Sequence, residues 1–191
     1  MTLARMPALR GRVPDGPALP VRDPWPGDPA RGARLLRGEL EQQGAVIPLA
    51  PGAWGAAEGW LGMPAHGFTW LRDLRALGTD AARTRARALV ADWIRLPSSA
   101  LARRPDVTGS RIAAWLGHYD FVAASADDVF RARMMSRLVS DARALAARLP
   151  AEEPNMGGLT ALKGLIAAAV ALPDQQSLLV RALRFLPQEI E

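Results

Sequence analysis

The sequence contains no cysteine, so disulfide bonds and thiolate metal sites are excluded. Histidine is nearly absent too. The two present, His66 and His118, have no His-x-x-x-His spacing, and a zinc shell would have to be completed by carboxylates. No metal and no cofactor is therefore expected. Tyr119 is the only tyrosine and Lys163 the only lysine. No segment supplies the run of roughly 18 apolar residues that a membrane span requires. Arg5, Arg10 and Arg12 are followed by Pro and Gly rather than by the apolar core of a signal peptide. The expectation from these absences is a cytoplasmic protein with no membrane partner.

What is present is arginine. It carries nearly all of the positive charge behind a net charge of +5 and a pI near 11.0. A guanidinium fork suits carboxylate, sulfate or phosphate, so a basic surface favours an anionic partner. Many of the arginines also lie at helical spacing from Asp or Glu, which equally describes a solvated face. No helix gathers arginines with a nucleic-acid-binding motif, so nucleic acid is set aside as a partner. The length of 191 residues, with 49% hydrophobic residues, suits one globular domain.

Periodicity divides the chain at about residue 63. Residues 1–63 read as an extended Pro/Gly-rich arm and loops, with a short helix over Ala30 to Arg37 and a strand or hairpin around Val46 and Ile47. Residues 64–191 are helical. Pro64 is expected to open a helix with Trp70, Leu71, Leu74 and Leu77 on one face and Gly78 as its stop. Thr79 caps the next helix, which Pro97 ends. A third helix is expected from Ser110 to Tyr119 and a fourth from a capping box at Ser125 to Leu149, with loops at 98–107 and between Pro150 and Pro154. Residues 159–172 are apolar on almost every face, so this helix should be central. Asp174 should cap a last helix that turns Leu178, Leu179, Ala182, Leu183 and Leu186 inward. The expected fold is all-α, made of antiparallel helical hairpins.

Four segments carry a family resemblance. They are Asp23-Pro-Trp-Pro-Gly-Asp-Pro, His66 to Arg83, Arg111-Ile-Ala-Ala-Trp-Leu-Gly-His-Tyr-Asp, and Leu159-Thr-Ala-Leu-Lys-Gly-Leu. In order and spacing they resemble the N-terminal helical toroid of heparinase II/III-like polysaccharide lyases. The resemblance implies an α/α toroid that docks a β-sandwich, and β-elimination on uronate-containing anionic polysaccharides. It further implies a chain that stops before the catalytic half and is inactive alone. An acidic polysaccharide and a separate β-sandwich would then be the partners. The alternative is a non-catalytic binding module for an acidic glycan or a protein.

Within that frame Asn155 and Tyr119 are the candidate catalytic residues. The family's Asn-His pair is represented here only by Asn155-Met-Gly-Gly. His66, Trp70, Arg72, Trp115, His118, Tyr119 and Lys163 are the candidate substrate-binding residues. Each has a plainer reading. Trp70 can be core packing, His118 can satisfy helix carbonyls, Arg72 can make a structural ion pair, and Lys163 can extend to the surface.

Overall fold

The computed structural model describes residues 13–96, 99–149, 156–173 and 175–190. Its architecture is mostly helical, with nine α-helices and a single two-stranded hairpin among the described residues. The all-α expectation therefore holds.

The arm, residues 13–28, ends at Asp28, whose carboxylate caps α1 (Pro29–Leu36) by accepting from the Ala30 amide at 2.8 Å. Pro29 takes a first-turn position where its missing N–H costs nothing. β1 (Glu39–Gln42) and β2 (Ala45–Pro48) pair antiparallel, with Leu40 opposite Ile47. Gln43 and Gly44 both have positive φ, as a two-residue type I′ connection demands.

α2 (Gly59–Gly67) starts five residues before Pro64, which sits inside the helix rather than opening it. The backbone then turns through Phe68 at φ 58°. That conformation is costly for a bulky residue. Phe68 is fully buried, and its ring contacts Trp54, Trp70, Trp93 and Trp115 at centroid distances of 5.1–5.8 Å. These contacts hold the turn in place.

α3 (Leu71–Leu77) ends at Gly78 in the left-handed conformation, and the Thr79 hydroxyl caps α4 (Asp80–Arg95), as expected from the sequence. α5 spans Pro105–Gly117 and begins five residues before the expected Ser110, because Pro105 occupies a first-turn position. α6 (Tyr119–Ala123) follows after a break at His118. The cap of α7 (Asp128–Arg148) is Asp127 rather than Ser125; its carboxylate accepts from the Phe130 amide at 2.7 Å. α8 (Met156–Ala171) and α9 (Gln176–Ile190) pack on one another. In α9, Leu178 and Ala182 are buried, whereas Leu183 faces outward at 52% exposure, contrary to expectation. The expected stop at Pro97, the loop between Pro150 and Pro154 and the cap at Asp174 lie outside the described residues.

α5 is the axis of the fold, packed against α2, α7 and most extensively α8. Gly109 and Gly164 make that close approach possible. A Cβ on Gly164 would lie 2.3 Å from the Gly109 carbonyl oxygen. α5 also carries the most buried charge, Arg111, at 1% exposure. Its Nε donates to Asp141 Oδ2 at 2.8 Å, and its Nη1 donates to the His66 and Ala102 carbonyls at 3.1 Å each. Arg137 takes the other oxygen of Asp141 at 3.0 Å. The two guanidinium groups each lie 4.4 Å from the centroid of Trp93. Burial pushes the Arg111 pKa down, and the Asp141 carboxylate opposes that.

Candidate functional site

The expected substrate-binding residues fall into three separate places. His66, Trp70 and Trp115 belong to the core. Trp70 and Trp115 are essentially inaccessible, and the Trp70 indole donates to the Ala65 carbonyl at 3.1 Å. The Trp93 indole donates to His66 Nδ1 at 2.9 Å, so Nε2 carries the proton and donates to the Ala57 carbonyl at 3.2 Å. Both nitrogens of His66 are therefore used internally, and burial lowers its pKa. Lys163 stands on the exposed side of α8, in line with the plainer reading. Asn155 lies outside the described residues.

Arg72, His118 and Tyr119 do come together. They line a groove of about 930 Å³ between the N-terminal arm and the surface made by α3, the end of α5 and the start of α6. Asp23 is the residue that organises it. Its side chain is 8% exposed, and its Oδ2 accepts from Arg72 Nη2 at 3.1 Å and from His118 Nε2 at 3.2 Å. Gly117 gives Asp23 the room to approach, since a Cβ there would lie 3.0 Å from the Asp23 nitrogen. Gly27 lies against the Arg72 carbonyl even more tightly, at 2.0 Å from an added Cβ. A second clasp joins the Asp28 amide to Asp73 Oδ1 at 2.8 Å.

Further along the groove, Arg75 grips Asp120 with two bonds of 2.6 and 2.8 Å. The Tyr119 hydroxyl donates to the Asp15 carbonyl at 3.5 Å. Burial lowers the His118 pKa, opposed by the charge of Asp23, and burial raises that of Tyr119. Arg72 Nε and His118 Nδ1 are both buried with no hydrogen-bond partner. Trp25 projects from the arm at 62% exposure and also lines the groove. No group of three potential metal ligands occurs among the described residues. No helix there is long and apolar enough to cross a membrane.

The chain is 29% identical over 184 residues to FtsZ-localized protein C of Caulobacter vibrioides (strain NA1000 / CB15N). The alignment covers 93% of this chain and 32% of that protein, so the chain spans about a third of the length of the curated relative it matches. No protein-family model matches the chain, and no solved structure matches it.

These findings overturn the heparinase II/III-like resemblance and, with it, the polysaccharide lyase function. The physical reason is visible in the motifs themselves. Phe68, Trp70, Leu71 and Leu74 in the His66 to Arg83 segment are buried, as are Ile112 and Trp115 in the Arg111 segment. The helical segments that carried the resemblance are largely packing patterns, and packing patterns do not specify chemistry.

Asp23, Trp25 and Arg75 complete the groove, and the sequence alone does not mark them as site residues. The signal available for the first two was the Asp-Pro-Trp-Pro run, where two prolines stiffen the chain around an aromatic side chain. For Arg75 there was none, because its partner Asp120 is 45 residues away.

Proposed function

We propose that this chain is an interaction domain of a cell-division protein that works at the FtsZ assembly. The observation that carries this reading is the similarity to FtsZ-localized protein C along 93% of the chain. The arm groove supports it, because its charged and aromatic groups are held by internal ion pairs and present a shaped, exposed surface of the kind that partners recognise. In this reading residues 64–191 are the helical body, its paired helices part of a curved α/α array. Residues 1–63 are the arm, loops and hairpin laid against it. The partner is a protein, and the location is the cytoplasmic compartment that holds FtsZ.

The test is a fluorescent fusion of the chain expressed in dividing bacteria together with labelled FtsZ. The expected result is a band of fusion at the division site, coincident with FtsZ. Uniform fluorescence in cells that have well-formed FtsZ rings would count against the proposal.

A further inference from the structure

We propose that the groove beside the N-terminal arm is a docking site for an extended acidic peptide segment of a partner protein, with Trp25 as its anchor. The partner's identity rests on the cell-division reading above, whereas the groove's chemistry stands on three observations of its own.

The first is the state of Trp25. It is 62% exposed, on a backbone that is held in place. Pro24 and Pro26 restrict the backbone on either side. The Trp25 amide donates to Asp23 Oδ1 at 3.2 Å, and the other oxygen of Asp23 is held by Arg72 and His118. An aromatic side chain presented on a clamped backbone loses little entropy on binding, and Trp and Arg dominate binding hot spots.

The second is the arm's main chain. It runs beside the groove with no strand paired to it, and the amides of Val21 and Arg22 have no hydrogen-bond partner among the described residues. Free main-chain donors along such a segment suit an extended peptide.

The third is charge. Arg22, Arg72 and Arg75 line the groove against Asp23 and Asp120. Arg72 and Arg75 are paired with those carboxylates, which leaves the exposed Arg22 without an ion pair. The excess cation selects acidic residues in the ligand. It is too small an excess for a nucleic-acid backbone, whose binding neutralises several phosphates at once.

The experiment measures pelleting of the purified chain with FtsZ polymers, and anisotropy of a labelled extended Glu/Leu peptide titrated with the same chain. Trp25→Ala and Arg22→Glu are the test variants. Trp60→Ala removes an equally exposed tryptophan, 57% accessible, that does not line the groove. Circular dichroism confirms that each variant is folded. The expected result is binding by the native chain, weakened about tenfold or more by each test variant and changed less than about twofold by Trp60→Ala. If both test variants bind FtsZ and the peptide as tightly as the native chain, the groove proposal is overturned while the cell-division reading stands. If the native chain ignores FtsZ but binds the peptide in a Trp25- and Arg22-dependent way, the cell-division reading fails and the groove proposal survives. No peptide binding by the native chain, or displacement of the peptide by a single-stranded oligonucleotide, overturns the groove proposal.

Discussion

Replacing Asp141 with alanine should be among the most damaging single changes in this protein. The carboxylate holds two arginines, and the consequences differ for each. Arg111 is 1% exposed and would become a buried cation without a counter-ion, whereas Arg137 is 20% exposed and can be partly solvated. Breaking a buried pair from one side costs about 3–5 kcal/mol. Arg111 would keep its bonds to the His66 and Ala102 carbonyls, so its charge stays hydrogen-bonded. That places the expected loss near the lower end, about 3 kcal/mol. The loss at Arg137 adds about 0.2–1 kcal/mol, the range for exposed pairs. For a domain of this size the total lowers Tm by roughly 6–15 °C. Urea unfolding followed by circular dichroism measures it. The double variant Arg111→Met with Asp141→Leu removes both charges and should recover about 1 kcal/mol or more relative to Asp141→Ala. A loss below about 1 kcal/mol for Asp141→Ala would refute the reasoning, because it would mean that Arg111 finds solvent or another anion.

Three further outcomes are expected. Gly164→Ala brings a Cβ within 2.3 Å of backbone on α5, so the helices must separate; a loss of about 2 kcal/mol or more is expected despite alanine's better helix propensity, and unchanged or raised stability in urea would contradict it. Thr79→Ala removes the acceptor for the Ala82 amide and should cost about 1 kcal/mol, whereas Thr79→Ser should cost far less. His66 and His118 both have folded-state pKa values below the ordinary 6.5, so the unfolded chain binds the extra protons first as pH falls. Their contribution is therefore intact above pH 6.5 and is lost below it, at a slope of at most about 1.4 kcal/mol per pH unit for each histidine. A urea midpoint that does not fall as the pH is lowered below 6.5 would contradict this.

Local chemistry was legible in the sequence, and long-range pairing was not. Gly78 and Thr79 mark a helix boundary because their conformational and capping roles depend only on adjacent backbone, and the structure places that boundary where they stand. The helical turn over α1 and the hairpin at Val46 and Ile47 were readable for the same reason. The start of α2 was missed because Glu58 makes no side-chain cap and Pro64 imitates a first-turn proline. The start of α5 is hidden in the sequence because Pro105, a first-turn proline, reads equally well as part of a loop.

The site was harder to see. Tyr119, His118 and Arg72 could be picked as polar residues at helix ends and faces, but nothing local shows that Asp23 lies against His118 across 95 residues. Nor does the sequence reveal that His66 is saturated by Trp93 and Ala57, which removes it from the list of free groups. The lyase assignment failed at this level. It rests largely on helical motifs whose apolar residues are engaged in packing.

The most direct measurement of the central claim is the position of the labelled chain in cells from which FtsZ is being depleted. If the chain acts at the FtsZ assembly, its band at the division site disperses as FtsZ is lost and re-forms when FtsZ is restored. A band that persists after the FtsZ rings have gone, or fluorescence that is diffuse in both states, would contradict the cell-division role.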